Sequence, residues 1–309
     1  MQKRSSPTKL KPKGRLSPRK RMDYFWGYIF IAPTALGIML FTLGPIIYAF
    51  YISMTRWNNI TPPQFIGLDN YIRMVGDIIL RSELRNTFVY VFISVPITIA
   101  ISLLIAVALT MKLPALGFFR TVIFIPYVTL PAAAAMVWEN MFNSRFGMIN
   151  GFLRTIGVPV VDWFGSNNMV MGIVIAMAVW AAIGYYSVIL MVGIKNLPVS
   201  FLEAARIDGA TRTQSFFRIT IPLLTPQIFF CTTIAMIGAF SMFDAVFIFG
   251  RASVTIRDGI RTMAFGIYER GFTFQEMGYA SANAVLLLII ILFITILQFL
   301  SQKYWVHYE

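Results

Sequence analysis

Between Ser200 and Pro222 the chain carries small, acidic and hydroxyl residues at spacings that build and end short helices. Ser200-Phe201-Leu202-Glu203 has the form of a capping box, in which a hydroxyl and a carboxylate three residues on satisfy each other's orphan backbone N–H groups. Glu203-Ala204-Ala205-Arg206-Ile207-Asp208 follows, and Gly209 stands where a helix ends on a left-handed residue. Thr211-Arg212-Thr213-Gln214 repeats the box and opens Ser215-Phe216-Phe217-Arg218-Ile219, which ends at Thr220-Ile221-Pro222. A helix of about eight residues is not stable alone in water, so something must hold it. Phe201, Leu202, Ala204 and Ala205 offer an apolar face that a neighbour can approach closely, with Glu203 and Asp208 beside it. The chemistry on offer is recognition. The residues alone leave two forms of it open, docking on a partner and a re-entrant turn packed on the chain's own bundle.

A second group joins aromatic faces to polar tips: Trp180, Tyr185, Tyr186 and Ser187, then Phe240, Ser241, Phe243 and Asp244. Polar groups inside apolar segments are functional candidates by default. The same residue types also anchor span ends at the membrane interface or hold helices together. Glu139-Asn140 and Asn283 are further pore or packing candidates. The single Cys (Cys231) and single His (His307) exclude a disulfide framework and argue against a Cys/His metal site. Neither is a site candidate.

These residues need elements to position them, and the composition says what kind. Of 309 residues 58% are hydrophobic and 13% charged, where a soluble domain carries about a quarter charged. Six segments are long enough for the roughly 20 apolar helical residues that cross a bilayer. They lie between Asp23 and Arg56, Arg85 and Lys112, Arg120 and Glu139, Met169 and Ile194, Arg218 and Asp244, and Glu276 and Lys303. Unpaired backbone amides are expensive in lipid, so each is expected to be helical. Pro33, Pro45, Pro96, Pro126 and Pro131 predict kinks, and the third segment, with two of them, is the shortest. The first is expected to be a kinked helix with an interfacial extension reaching Tyr51. The expected class is an all-α membrane protein with six transmembrane helices.

The net charge of +13 describes a tail rather than a nucleic-acid face. Nine of the 26 Lys and Arg lie in the first 21 residues, where almost no apolar content is available to bury a core. That tail is expected to be disordered, a topology signal that also touches anionic headgroups. No short apolar stretch with a cleavage site follows it, as a signal peptide would need. With the N-terminus inside, 16 Lys and Arg fall on the cytoplasmic side and 10 outside, so both termini are expected in the cytoplasm.

The loop carries a resemblance. Glu203-Ala204-Ala205, then Gly209, then Ile219-Thr220-Ile221-Pro222 resembles the EAA loop of ABC importer permeases, with Ile221 in place of the usual Leu. It falls between the fourth and fifth of six spans, as in that family. Phe65-Ile66-Gly67-Leu68-Asp69-Asn70-Tyr71, Ala32-Pro33 and Gly44-Pro45 are similar to the carbohydrate-importer members of the maltose and glycerol-phosphate type, first-half pore subunit. The resemblance covers about residues 24 to 300. It implies the type I importer permease fold. A basic tail would occupy residues 1–22, a first span and external loop 23–82, and a permease core 83–303 with its loop at 198–222.

The resemblance also implies a mechanism. The EAA loop would form coupling helices in a cleft of a cytoplasmic ATPase, with Phe201, Leu202, Ala204 and Ala205 as the packed face, Glu203 and Asp208 as charged contacts and Gly209 as the turn. The sequence has no Gly-Lys dipeptide and so no phosphate loop. ATP and Mg would sit on two copies of a partner ATPase, with no cofactor on this chain. A second permease would complete the pore in the cell membrane. An extracytoplasmic sugar-binding protein would meet the outer loops at residues 56–86 and 141–168. Tyr185, Tyr186, Phe240, Ser241 and Asp244 would fall along the path of a carbohydrate, an oligosaccharide first of all. Glycerol phosphodiesters or polyols are the alternative solutes, and Asp244 speaks mildly against an anion. An ion-coupled secondary transporter would need ionisable pairs deep in the spans or an internal repeat, and neither is visible. A membrane-embedded enzyme would need a cluster of catalytic residues, and that too is lacking.

Overall fold

The computed structural model describes residues 18–111, 114–251 and 254–306. The basic tail to Ser17, Lys112 and His307 lie outside the described residues, as does the side chain of Leu202. The chain divides into two compact units, residues 1–51 and 52–309. In the first, α1 (Pro18–Ile38) passes through a π-helical stretch, Met39–Leu43, into α2 (Gly44–Ser53). The result is one apolar helix of 32 residues, Met22–Ser53. Pro45 has no N–H to give the preceding turn, and the wider turn just before it absorbs the mismatch.

The second unit opens with a two-stranded antiparallel hairpin, β1 (Thr55–Arg56) and β2 (Gln64–Phe65), in which Thr55 pairs with Phe65. A short helix, α3 (Asp69–Gly76), lies against it because the buried Asn70 amide donates to the carbonyls of Ser53 (2.8 Å) and Thr55 (2.9 Å). Asp77 then caps α4 (Ile78–Thr110), accepting from the N–H groups of Ile79 and Leu80 at 2.8 and 3.0 Å. The second span thus begins seven residues before Arg85. Pro96 lies inside it.

The third span is broken. Its halves, α5 (Leu116–Val128) and α6 (Pro131–Met141), meet at 97°. Pro131 forces Leu130 out of helical geometry and opens the new helix in its first turn, where a missing N–H costs nothing. After α7 (Met148–Thr155) come α8 (Asn167–Lys195), α9 (Val199–Ile207) and α10 (Arg212–Ser215). A π-helical stretch, Phe216–Thr220, leads into α11 (Ile221–Leu223) and α12 (Thr225–Phe240). The fifth span continues beyond a break at residues 241–243 into α13 (Asp244–Phe249). Then follow α14 (Val254–Ile260), α15 (Met263–Tyr268), a π-helical stretch Glu269–Thr273, and α16 (Met277–Trp305). Five helices among the described residues are long and apolar enough to cross a membrane, six when the bent pair counts as one span.

The core of this unit is the pairing of α4 with α8, with α5 and α12 packed around them. Ser102 on α4 donates to the Ile183 carbonyl of α8 at 3.1 Å, a bond that ties two spans where water cannot compete.

Candidate functional site

The loop at 198–222 folds as two short helices around a groove of about 520 Å³. Phe201, Ala204, Ala205, Asp208 and Gly209 line one side, and Gln214, Arg218 and Ile219 the other. The first capping box does not form. Pro198 precedes α9 and leaves Ser200 inside the first turn without a capping bond, because the chain enters the helix two residues earlier than the hydroxyl needs. The second box does form: Gln214 N–H donates to Thr211 Oγ1 (3.2 Å), and Thr211 N–H to Gln214 Oε1 (2.8 Å). Gly209 adopts φ +77°, and the Ala210 N–H returns to the Ala205 carbonyl at 2.9 Å, closing α9 as a left-handed glycine end. Ala205 is buried, whereas Phe201, Glu203, Ala204 and Asp208 are exposed. Ile207, 86% exposed, adds an apolar side chain to the open face.

The second candidate is a cavity of about 300 Å³, open on one side and bordered by α4, α8, α12, the start of α13 and Pro131 of α6. Tyr186, Ser241, Phe243 and Asp244 line it. So do Tyr90, Ser94 and Thr98, which were not among the candidates above. Their spacing was the signal. Glu83, Thr87, Tyr90, Ser94, Thr98 and Ser102 recur every three or four residues and form one buried polar stripe along an otherwise apolar span. Phe240 is 1% exposed and packs edge-on against Phe88, beside the cavity rather than on its wall. Tyr185 likewise stacks on Tyr127 of α5 with ring centroids 4.5 Å apart. Trp180 of α8 meets Trp138 of α6 at 5.8 Å, and Trp138 continues through Phe142 at the end of α6 to Trp163 in the loop before α8 as an aromatic row. Ser187 bonds back to Ile183, Asn140 to Met136 and Asn283 to Tyr279, all within their own helices.

Above the cavity, at the N-terminal end of α4, lies a cluster of ionisable side chains that the sequence did not reveal. Glu83, 1% exposed, accepts from Arg270 at 2.7 and 3.0 Å and faces Arg261 at 3.8 Å. Arg261 also donates to Glu269, which Arg257 approaches at 3.4 Å. Arg270 reaches Asp77 at 3.4 Å. Burial works against the Arg270 cation, but Glu83 and Asp77 outweigh it and hold its pKa above the ordinary guanidinium value. Gly266 makes room for the cluster, because a Cβ there would collide with the Glu83 carboxylate. The pair is hidden in the sequence, because a span that starts at Arg85 leaves Glu83 in an outer loop and its partner lies 187 residues away. Among the described residues no group of His, Cys, Asp and Glu is arranged to hold a metal ion.

The sequence profile of binding-protein-dependent transport system inner membrane components matches residues 79–305. The chain is 36% identical over 292 residues to the probable ABC transporter permease protein YesP of Bacillus subtilis, covering 94% of each. It is 33% identical to the arabinooligosaccharides transport system permease protein AraP of Halalkalibacterium halodurans, over 88% of this chain and 85% of that one. Its fold matches a chain of a bacterial alginate ABC transporter, crystallised with an alginate pentasaccharide-bound periplasmic protein, with a TM-score of 0.80. That match has 19% identity over 92% of this chain and 96% of the other. The chain belongs to the family of binding-protein-dependent transport system inner membrane components, the membrane permeases of ABC importers, and is a transport subunit rather than a catalyst.

Proposed function

We propose that this permease forms half of the path by which a neutral, polyhydroxylated solute, a carbohydrate, enters the cell. The observation that carries the reading is the chemistry of the cavity. Two tyrosines and a phenylalanine offer faces for sugar rings, Ser94, Thr98 and Ser241 offer hydroxyls, and Asp244 supplies one carboxylate. Among the described residues no Lys or Arg lines it, so a phosphate or phosphodiester would enter without a counter-charge and beside a carboxylate. The volume lies at the lower end of the roughly 300–1,000 Å³ of ligand sites, as expected when a second permease supplies the other wall.

The groove at 198–222 receives a cytoplasmic ATPase, two copies of which drive the cycle. Phe201, Ala204, Ala205 and Ile207 give it an apolar contact, Leu202 joins them on the sequence, and Glu203 and Asp208 give charged ones. Both termini lie in the cytoplasm by the distribution of Lys and Arg. The hairpin and α3 then lie outside, where a solute-binding protein delivers its cargo.

Uptake by the assembled complex in proteoliposomes tests the solute. ATP-dependent accumulation of a labelled arabinooligosaccharide, with no accumulation of a glycerol phosphodiester, supports the carbohydrate reading. Accumulation of the phosphodiester alone would overturn it.

A further inference from the structure

The polar stripe of α4 does not run open to the end of the helix. Between the cavity and Asp77 it is covered by two layers. The lower is a set of hydroxyl bonds. Thr87 Oγ1 accepts the Met263 N–H at 2.9 Å and donates to the Glu83 carbonyl at 2.7 Å, while Thr262 Oγ1 donates to the Met242 carbonyl at 2.8 Å. The upper layer is the ion cluster. Glu83 lies seven residues before Tyr90 on the same face of α4, about 10 Å further along the axis at 1.5 Å per residue. The cluster therefore stands directly over the cavity wall.

The arginines of this layer belong to the segment that also builds the cavity. Ser241, Phe243 and Asp244 line it, and the chain then runs through α13 and α14 to Arg261 and Arg270. Arg270 sits in a π-helical stretch, a wide turn that recurs at functional sites and that a chain can shift along. One element thus both walls the cavity and closes its end.

Stability alone does not explain why that closure is ionic. Replacing a buried ion pair with well-packed apolar side chains is often neutral or stabilising, because desolvating the charges offsets much of their attraction. The balance differs for a contact that must come apart. An apolar seal loses its burial on opening and gains nothing from water, whereas separated carboxylates and guanidinium groups recover their hydration. An ionic layer excludes water when shut and opens at a smaller cost.

We infer that Glu83, Arg261, Glu269 and Arg270 are the outer gate of the solute cavity, positioning residues whose ion pairs hold the path shut and separate when it opens outward. The inference rests on the proposed function, which puts the cavity on the solute path and this end of α4 on the outer side.

The test uses the whole complex in intact cells, with Cys231→Ala in this chain and a reporter thiol, Ser94→Cys, in the cavity. A membrane-impermeant maleimide is added from outside. Adding Glu83→Gln raises the labelling rate of the reporter by about ten-fold or more, the shift expected when a minor open state gains population. A structural role would lower the amount of assembled complex without exposing the reporter. Unchanged labelling in assembled Glu83→Gln complex overturns the gate. If that variant does not assemble, Arg270→Lys, which keeps the charge but loses the two-pronged contact, is read by the same criterion. Gln64→Cys on the exposed hairpin checks the orientation on its own. Labelling there only after permeabilisation overturns the outer assignment, whereas labelling there with a silent reporter overturns the gate alone.

Discussion

The Tyr279 hydroxyl donates a 2.6 Å hydrogen bond to the Asp77 carboxylate, whose other oxygen caps α4. One side chain therefore fixes the starts of two spans that lie 202 residues apart. Burial raises the Asp77 pKa, but the bonds from Tyr279, Leu80 and Ile79 and the charge of Arg270 outweigh it and hold the carboxyl below its ordinary value. A depressed carboxylate contributes its stability in full above the unfolded value of about 3.9 and loses it as pH falls through the lower folded value. Tyr279→Phe removes a hydrogen bond to a charged group, worth about 1.5–3 kcal/mol. Thermal unfolding in detergent should show a constant drop in Tm for this variant between about pH 5 and about pH 8, narrowing only below about pH 4. A drop that varies between about pH 5 and about pH 7 would assign the titration to another group.

Ser94 and Thr98 test the cavity. Each is buried on the polar stripe, and valine is close to threonine in shape but offers a ligand hydroxyl nothing. A ligand group left unpaired in a dry site loses about 1–3 kcal/mol. Ser94→Ala and Thr98→Val are expected to raise the KM for uptake about ten-fold each, with the amount of assembled complex unchanged. Concentration-dependent uptake in proteoliposomes decides it, and an unaltered KM in both variants would remove the cavity from the path.

Tyr185 separates packing from binding. Its ring lies flat on Tyr127, 4.5 Å away, and edge-on to Tyr186 at 5.1 Å, so its face is already occupied. Tyr185→Phe keeps the stack and should leave uptake within about two-fold of wild type. Tyr185→Ala opens the α5–α8 contact and should lower stability by about 1–3 kcal/mol, read as a fall in Tm. A strong loss of uptake in Tyr185→Phe with an unshifted Tm would make the hydroxyl a solute contact.

What could be read in advance follows the range of the forces involved. Spans were legible because about 20 apolar residues in a row state the thickness of a bilayer by themselves. Gly209 and the Thr211–Gln214 box were legible because their bonds close within five residues. The box at Ser200 failed for the same kind of reason, since Pro198 starts the helix early and local spacing does not reveal the helix's first residue. Glu83 and Arg270 were out of reach. Nothing near either residue marks the other as its partner, 187 residues away, and their contact depends on Gly266 yielding space from a third position. Tyr90, Ser94 and Thr98 stood between these cases, visible as a period in the sequence that hydroxyls serving as helix glue also produce.

Gly209 offers the most direct test of the loop. At φ +77° an L side chain meets the neighbouring carbonyl, at a cost of about 1–2 kcal/mol, and β-branched residues tolerate that region worst. Gly209→Val should therefore unwind the end of α9 and displace Asp208 and Ala210 from the groove while leaving the spans folded. In the reconstituted complex ATP hydrolysis is expected to continue while solute uptake falls by about ten-fold or more, the sign of a docking element that no longer transmits motion. Gly209→Asn is the control, because asparagine enters the left-handed region readily, and most of the coupling should survive it. Uptake at the wild-type ratio to hydrolysis in Gly209→Val would show that the turn bears no part of the coupling.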